Sequence, residues 1–390
     1  MSSIETIIII VCAILILLSI CTPFINVFFR KIHLSEPETD ESLLQALPQL
    51  SVILFAHDNA RELEAHLPVI LEQDYPAEYE VIVVEGKSED DTDDVLKRLK
   101  QQYKNLYTTF VPDSARYMSR PKLAITLGVK AAKNEWILIT EPSCQPNSEK
   151  WLQQMARNCG PDTELIVGYS KYSDEASDYQ RFERLFAQRY LLRETQRATA
   201  FRTEPGNLMF RKSTFLEGRS FDGNLKYIRG EYDFIVNKFA KKGNTVTETS
   251  PKSWVIEDAP AKKQWVNRHL FYMETRKHLK RSFRHRFPIL IDQIALHTCF
   301  LFILAAIGVS FAIPSLPLIY KWILLGVGIL ALIIFIIMRT LIARKGIAQV
   351  GEKIPAWKIV PFELSLVWRF LYYKIKYRRA DRFDFICHKV

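Results

Sequence analysis

Residues with side chains suited to catalysis or ligand binding directly follow apolar runs that have the length of a β-strand. Glu141 directly follows the run Trp136–Thr140, and His57 with Asp58 follows a similar run that ends at Ala56. Carboxylates can take up a proton or bind a hard divalent cation. In open α/β sheets, ligands bind at the carboxyl ends of the strands. The sequence therefore predicts a binding site around the turn that begins at Glu141.

The elements that would position these residues alternate between strand and helix patterns. Leu50–Ala56, Tyr79–Val84 and Leu106–Val111 are predicted strands, as is Trp136–Thr140. Helical patterns lie between them, and the one before the last strand has an apolar stripe from Leu123 to Ala132. This alternation predicts an α/β fold with a mostly parallel sheet and helices on both faces.

Some polar residues near these strand ends have ordinary structural explanations. Ser88 and Asp91 have the spacing of a capping box, which predicts the start of a helix. Cys144 is interpreted as a buried small hydrophobe and not as a nucleophile, because no histidine is near it in sequence. The six cysteines show no paired spacing, which is typical of a reducing compartment, and the eight histidines form no zinc pattern.

Three apolar runs are long enough to cross a membrane: Thr6–Phe29, Pro288–Ile313 and Leu318–Met338. A retained anchor is favoured over a cleaved signal peptide for the first run, because it is long, no basic residue precedes it and it has no clear small-x-small cleavage site. The other two runs are separated by the uncharged segment Pro314–Pro317 and predict a transmembrane hairpin.

Charge predicts the orientation of these runs. Basic residues follow the first run, precede the second and follow the third. The positive-inside rule then places the region between the first and second runs in the cytoplasm. The net charge of +10 is concentrated beside the apolar runs and in the tail, which favours an anionic leaflet over nucleic acid as a partner. Asp292 and His297 lie within the second run and are functional candidates; the alternative is that Asp292 lies near the interface.

Five segments carry a resemblance to a known family. They are SVILFAHDNARELEAHLPVILEQDYP, YEVIVVEGKSEDDT, SRPKLAITLGVKAAKNEWILITEPSCQPNSEKWL, GNLMFRKSTF and RGEYDFIVNKFA. In order and spacing, they resemble the nucleotide-sugar half of family-two glycosyltransferases with the GT-A fold, over about Leu50 to Leu279. The membrane layout is similar to that of membrane-bound bacterial members. The resemblance implies transfer of a sugar, of the hexosyltransferase type, from a nucleoside diphosphate donor with inversion at the anomeric carbon.

With this resemblance, the chain divides into segments with distinct expected roles. They are 1–33, an amino-terminal transmembrane anchor; 34–49, a linker; 50–260, a GT-A glycosyltransferase-like domain; 261–287, a basic amphipathic interface helix; 288–340, a transmembrane hairpin; and 341–390, a basic aromatic interfacial tail. Within the tail, Trp357–Tyr377 is expected to lie at the interface and not to span, because Glu363 and Arg369 interrupt it.

The resemblance also implies roles for single residues. In the family, an Asp after the second strand contacts base and ribose, an Asp-x-Asp turn after the fourth binds ribose and metal, and a later Glu-Asp motif supplies the general base. The implied general base is Asp233 or Glu231. The implied donor-binding residues are His57, Asp58, Glu85, Lys87, Lys122, Glu141 and Ser143. The implied acceptor or diphosphate contacts are Asn207, Gln264, Trp265 and Arg268.

This sequence departs from the family pattern at three carboxylate positions, which are occupied by Gly86, Ser143 and Tyr232. A neutral serine oxygen is a poor ligand for a hard divalent ion, so support for a Mg or Mn site at Glu141 is weak. Three alternatives follow. Glu141 and the diphosphate alone hold the cation, the donor is not turned over, or positive side chains replace the cation, the candidates being Lys87, Lys122 and Arg268.

The segment Ala261–Leu279 occupies the place of the Gln-x-x-Arg-Trp segment of processive family members. Gln264, Trp265 and Arg268 are present in a different order, which favours single-sugar addition. Trp265 is then a platform for an acceptor sugar and Arg268 a diphosphate contact, whereas a basic amphipathic helix on the membrane is the plain alternative.

Two functions remain open on the sequence. One is an inverting glycosyltransferase that acts on a membrane-proximal glycan or lipid-linked acceptor. The other is a catalytically inactive relative that serves as a membrane scaffold or regulator. A transporter has little support, because three spans with a large soluble domain are poorly suited to alternating access.

Overall fold

The computed structural model describes residues 3–36, 47–112, 118–314 and 316–387. The chain divides into two compact units, Met1–Lys31 with Arg281–Leu371, and Ile32–Lys280 with Tyr372–Val390. Most of the linker predicted at 34–49 lies outside the described residues, as do one residue of the hairpin connection and the last three of the tail.

Helices and strands alternate through the second unit, and long helices make up the first. The helices are α1 (Ser3–Cys21), α2 (Ala60–Leu71), α3 (Thr92–Gln102), α4 (Arg120–Ala131), α5 (Trp151–Ala156), α6 (Asp178–Arg197), α7 (Lys212–Glu217), α8 (Glu231–Phe239), α9 (Lys262–Thr275), α10 (Phe283–Ala312), α11 (Leu318–Ala348) and α12 (Ala356–Arg379). The strands are β1 (Leu50–Ala56), β2 (Tyr79–Glu85), β3 (Leu106–Phe110), β4 (Trp136–Thr140), β5 (Cys144–Pro146), β6 (Leu165–Gly168), β7 (Ser170–Tyr172), β8 (Leu208–Arg211), β9 (Thr245–Glu248) and β10 (Val255–Glu257).

A seven-stranded sheet in the order β3-β2-β1-β4-β8-β6-β9 forms the core of the second unit. Strands β3, β2, β1 and β4 are parallel, which confirms the mostly parallel sheet, and β8 runs antiparallel to β4 and β6. The parallel strands are apolar on both faces because helices cover both sides of such sheets. Val81 to Val84 and Ile137 to Ile139, for example, are at most 1% exposed.

A second sheet, in the order β5-β10-β7, was outside the sequence prediction. Its strands have three residues each, which is too short for alternation of apolar and polar residues to reveal them. Strand β5 begins at Cys144, directly after the Glu141 turn, and pairs antiparallel with β10 so that Cys144 faces Glu257. This sheet therefore fixes the turn that follows β4.

The capping box predicted at Ser88 and Asp91 is wrong. Helix α3 begins at Thr92, and the Asp91 side chain makes no cap hydrogen bond. The Ser88 hydroxyl oxygen instead accepts a hydrogen bond from the Asp58 N–H at 3.2 Å. The spacing misleads because the loop after β2 lies against the loop after β1, and its polar side chains bind that loop's backbone.

The first unit contains three helices long and apolar enough to cross a membrane. These candidate spans are Glu5–Ile25, Phe283–Ala312 and Leu318–Ala348, and they coincide with the three apolar runs found in the sequence. The second and third spans are longer than predicted, because helix α10 begins before Pro288 and α11 continues past Met338.

A buried ion-pair cluster lies within the first unit. Arg339 donates from Nη2 to Asp292 Oδ1 at 2.9 Å and from Nε to Glu363 Oε2 at 2.6 Å, and all three side chains are fully buried. The Asn26 amide donates to the other Glu363 oxygen at 2.6 Å. Asp292, a candidate in the sequence, and Glu363, which lies within the continuous helix α12, are thus paired with the same arginine.

Candidate functional site

A small cavity lies at the carboxyl ends of β1 and β4, where open α/β sheets bind ligands. Apolar side chains from β1, β4 and α4 form its walls, and charged side chains come from the end of β4 and the start of α8. The lining residues are Ile53, Phe55, Pro121, Ile125, Ile139, Thr140, Glu141, Arg229, Glu231 and Tyr232. The cavity combines two carboxylates with one guanidinium, an arrangement suited to proton transfer and to binding of anions.

Glu141 is positioned by strand β4, which is held between β1 and β8. Burial raises the pKa of its carboxyl to about 7, although the nearby Arg229 charge acts in the opposite direction. Burial, and next the neighbouring Glu141 charge, raise the pKa of the Tyr232 hydroxyl well above its usual value. Glu141 therefore gains and loses its proton close to neutral pH.

Glu231 is the first residue of helix α8, and helix N-termini favour negative charge. One carboxylate oxygen, Oε2, accepts the Gly230 N–H at 2.9 Å. The other, Oε1, is buried without a hydrogen-bond partner and lies 3.9 Å from Arg229 Nη1. Gly230 has φ +100°, and a Cβ there would come within 2.6 Å of the Thr275 side chain. The sharp entry into α8 leaves the Oε1 atom of Glu231 inside the cavity without a hydrogen-bond donor.

Asp233 does not share this cavity. Arg202 Nε donates to its carboxylate at 3.2 Å, and Arg202 also binds Glu204 at 2.8 Å. Burial raises the pKa of Asp233 to about 6, against the effect of Arg202. Residues two apart on a helix point to opposite sides, so the structure separates the two predicted general bases. Glu231 lines the cavity and Asp233 belongs to an ion-pair network.

Glu257, which is not among the predicted site residues, lies beside the Glu141 turn. Arg184 Nη2 donates to its carboxylate at 3.1 Å, and Arg268 donates to it as well as to the Tyr172 hydroxyl. This carboxylate is thus neutralised by two arginines. Arg268, a predicted diphosphate contact, is about one-third exposed but is held by these two partners.

The loops after β1 and β2 bring the first group of predicted donor residues to the same edge of the sheet. His57 and Asp58 have side chains 41% and 48% exposed, with His57 Nε2 3.7 Å from Asp58 Oδ2. Asp58 Oδ1 accepts the Glu89 N–H at 2.7 Å. Glu85 ends β2, and Lys87 follows with a positive φ of 50°. These residues form a polar rim at the strand ends.

Packing accounts for the glycine at Gly86, where the resemblance implies a carboxylate. A Cβ added at Gly86 would lie 2.7 Å from the Phe55 ring, and the Gly86 N–H donates to the Ala56 carbonyl at 2.8 Å. Phe55 is part of the cavity wall. A side chain at Gly86 would therefore require this ring to move.

Lys122 is fully buried and does not reach the cavity. Its ammonium group donates to the carbonyl oxygens of Tyr227 at 2.5 Å and Arg229 at 3.0 Å. Burial lowers the pKa of Lys122 to about 8, and the nearby Glu231 acts in the opposite direction. The contribution of Lys122 is therefore to hold the segment that carries Arg229.

Lys122→Met is expected to lower the free energy of unfolding by about 1–3 kcal/mol, because two buried carbonyls lose their donor. Thermal unfolding of the full chain in detergent measures the change. Lys130→Met on the same helix is the matched control, since Lys130 is exposed. If the two variants are equally stable, Lys122 does not support this segment.

The predicted acceptor contacts are mostly buried. Asn207 is 1% exposed, and its amide donates to the carbonyls of Tyr169 and Ser253. Trp265 is 8% exposed and donates from its indole N–H to the Tyr373 hydroxyl at 3.0 Å, which leaves little of the ring to contact a sugar. Gln264 Oε1 accepts the backbone N–H of residue 261 at 3.1 Å and so caps α9.

Among the described residues, no group of three or more His, Cys, Asp or Glu side chains is arranged to hold a metal ion. Glu141 is the carboxylate of the turn, and Ser143 supplies a neutral oxygen. Mg²⁺ often uses one or two protein carboxylates together with phosphate oxygens. Glu141 is therefore suited to hold a divalent cation when a bound diphosphate supplies further ligands.

Comparison with protein families finds a match in the middle of the chain. Residues 51–216 match the model of Glycosyl transferase family 2. Glycosyltransferase AglE from Haloferax volcanii is 23% identical over 134 residues, which are 34% of this chain and 42% of the relative. The chain thus spans less than half the length of that curated relative.

Two solved structures are similar to this chain to different degrees. Mannosyltransferase PcManGT from Pyrobaculum calidifontis, in complex with GDP-Man and Mn²⁺, has a TM-score of 0.53 at 17% identity, over 93% of this chain and 99% of that one. TarS 1–349 from S. aureus, in complex with UDP-GlcNAc, has a TM-score of 0.43 at 14% identity, over 82% and 92%. The first likeness confirms the GT-A fold.

Proposed function

Because residues 51–216 form a glycosyltransferase family 2 domain, we propose that this protein is a membrane-anchored inverting glycosyltransferase. It moves a sugar, of the hexosyl type, from a nucleoside diphosphate donor to a membrane-proximal glycan or lipid-linked acceptor. The observation that carries the proposal is the cavity at the ends of β1 and β4, where Glu141, Arg229 and Glu231 meet.

Glu231 is the proposed general base. Its Oε1 atom is buried and lacks a hydrogen-bond partner, so it can accept the proton of an acceptor hydroxyl. As that hydroxyl oxygen bonds to the anomeric carbon, the bond from this carbon to the diphosphate breaks and its electron pair leaves with the diphosphate. Attack opposite the leaving group inverts the anomeric centre. A positioned base of this kind contributes a factor of about 10²–10⁴ in rate.

Arg229 is the proposed contact for the leaving diphosphate. Its side chain is half exposed and lines the cavity beside both carboxylates. A guanidinium can bind two phosphate oxygens at once, and fixed positive charge stabilises the charge that develops on the leaving group. Glu141 would hold a divalent cation together with the diphosphate oxygens, and the cation would supply further neutralisation of that charge. The polar rim residues His57, Asp58, Glu85 and Lys87 are proposed contacts for the base and ribose.

The catalytic domain is proposed to face the cytoplasm. Basic residues lie next to the first two candidate spans, at Arg30 and Lys31 and before Phe283, and near the C-terminal end of the third, at Arg344 and Lys345. The positive-inside rule places these ends on the cytoplasmic side, where anionic lipids attract them. A membrane-proximal acceptor follows from this placement.

A nucleotide-binding scaffold without catalysis is the second candidate. Tyr232 occupies a position where the family resemblance implies a carboxylate, and burial first and the neighbouring Glu141 charge second raise the pKa of its hydroxyl well above the usual value. Tyr232 therefore cannot take up a proton as a carboxylate there would. Nucleotide binding without sugar transfer would identify the scaffold.

The proposal is tested by incubating the detergent-purified full chain with a panel of UDP- and GDP-sugars and measuring release of nucleoside diphosphate. The expected result is release from one donor, increased by an added lipid or glycan acceptor. Absence of release from every donor, with Mn²⁺ present and the protein folded, would contradict a transferase and favour the scaffold.

The affinity for Mn²⁺ in the presence of UDP or GDP is expected to depend on pH. The pKa of Glu141 is raised to about 7 by burial, and a protonated carboxyl cannot bind a cation. Affinity should therefore fall about tenfold per pH unit below this pKa and level off above it. Calorimetric titration across this range measures the effect. Glu141→Gln should reduce the pH dependence to that of the terminal phosphate of the nucleotide. Equal profiles in the variant and the unmodified protein would exclude Glu141 as a ligand.

A further inference from the structure

We infer that the C-terminal segment Arg382–Cys387, here called the strap, positions the loop that carries Arg229 into the active site. This inference rests on the proposed function for the roles of Arg229 and Glu231. The strap would act through the backbone of residues 225–229 and need not touch donor or acceptor.

The strap pairs with this loop through its backbone. The Ile228 N–H donates to the Phe385 carbonyl at 3.0 Å, and the Cys387 N–H donates to the Lys226 carbonyl at 2.7 Å. Between these bonds, Tyr227 and Ile386 form an antiparallel bridge. The pairing ends one residue before Arg229, so it fixes the direction in which the chain enters the site.

The strap is itself held in place. Asp381 accepts the Phe383 N–H at 3.0 Å and caps the short 3₁₀ helix Arg382–Phe385. The Phe385 ring is 4% exposed, with its centroid 5.8 Å from that of Phe271 on α9 and 4.9 Å from that of Tyr377. The strap is therefore packed in place, and it can restrict the motion of the loop at residues 225–229.

Helix α4 holds the same loop from other backbone groups. Ser119 donates from its hydroxyl to the Ile228 carbonyl at 2.6 Å, and its N–H donates to the Leu225 carbonyl at 3.0 Å. Lys122 binds the carbonyls of Tyr227 and Arg229. The strap binds the Lys226 carbonyl, the one carbonyl of residues 225–229 that Ser119 and Lys122 leave, and it also accepts the Ile228 N–H. The two supports together give every carbonyl of residues 225–229 a donor.

The consequence for chemistry follows from the position of the loop. The Arg229 side chain is half exposed, and its Nη1 atom lies 3.9 Å from Glu231 Oε1. The position of this side chain therefore depends on the backbone of residue 229. A displacement of reacting groups by about 1 Å can lower a rate by about 100-fold. Loss of the strap should therefore lower turnover through the Arg229 and Glu231 geometry.

Cys387→Pro and Cys387→Ala form a matched pair for the test. Proline removes the N–H that donates to the Lys226 carbonyl, whereas alanine keeps it. Ile386 has φ −129° and ψ 143°, a conformation that a following proline accepts. Deletion of residues 382–390 is a second variant that removes the strap entirely. Hydrogen–deuterium exchange and steady-state kinetics are measured on each full-length or truncated chain in detergent.

The proline variant is expected to exchange faster than the alanine variant in peptides that cover residues 222–230, with unchanged exchange in β1 and β4. Its kcat should fall about 10- to 100-fold because the transition-state geometry is lost, and the donor KM should rise because the same loop carries Arg229, the proposed diphosphate contact. The deletion should show the same pattern.

Two results would overturn the inference. One is equal exchange of residues 222–230 in the proline, alanine and deletion variants. The other is faster exchange with kcat unchanged from the alanine variant. Failure of the proposed function is distinguishable, because it would appear in the unmodified protein as absence of sugar transfer from every donor, and it would remove the catalytic role of the strap as well.

Discussion

Glu231→Gln should lower the rate of sugar transfer by about 100- to 10,000-fold while leaving the affinity for nucleoside diphosphate nearly unchanged. Glutamine keeps the size of the side chain but cannot take up the acceptor proton. The structure selects Glu231 because its Oε1 atom is buried in the cavity without a hydrogen-bond partner. Initial rates with the identified donor, together with calorimetric titration of the matching nucleotide, measure both quantities.

Two control variants make this result interpretable. Glu217→Gln changes an exposed glutamate of the same domain and should leave the rate unchanged. Asp233→Asn removes the carboxylate that pairs with Arg202 and should reduce stability more than chemistry. An active Glu231→Gln variant beside an inactive, folded and nucleotide-binding Asp233→Asn variant would assign the base to Asp233 and contradict our assignment.

Arg339→Met is expected to destabilise the first unit by about 3–5 kcal/mol, because it leaves Asp292 and Glu363 as buried carboxylates without a cation. The loss should appear as a lower thermal unfolding temperature in detergent and a smaller yield of monodisperse protein. Arg344→Met, on an exposed position of the same helix, is the matched control.

A compensated variant separates lost charge balance from lost packing. Arg339→Met combined with Asp292→Asn and Glu363→Gln removes all three charges at once. Replacing a whole buried ion-pair cluster is often neutral, whereas removing one partner is costly. The triple variant should therefore recover most of the stability. Equal stability of Arg339→Met and Arg344→Met would show that the cluster contributes little.

The parallel half of the fold was predictable because its physical signal is local. Strand β4 is a continuous apolar run, and the structure begins and ends it at the predicted residues, Trp136 and Thr140. The strands β5, β7 and β10 are too short to show such an apolar run, so they were not predicted. Glu257, the last residue of β10, was therefore not predicted as part of the site. The hydrogen bond of Ser88 could not be predicted from local signal either, because its partner Asp58 lies thirty positions away in the sequence.

The site was only partly predictable, for a related reason. Glu231 and Asp233 are equivalent candidates along the sequence, and only the direction of their side chains on α8 separates them. Arg229 was not considered, although it stands next to the recognised acidic motif. Lys122 and Asn207 are polar residues whose partners are backbone groups far along the chain, so their burial could not be seen. The pairing of residues 226–228 with the strap is equally non-local.

The most direct test of the account is calorimetric titration of UDP and GDP, with and without Mn²⁺, into the purified full chain and into Arg229→Gln. We expect one nucleotide to bind the unmodified protein, and Arg229→Gln to weaken this binding by about tenfold or more through loss of a charge-assisted contact. Absence of binding of either nucleotide to the folded protein under all conditions would contradict a donor site at Glu141, Arg229 and Glu231.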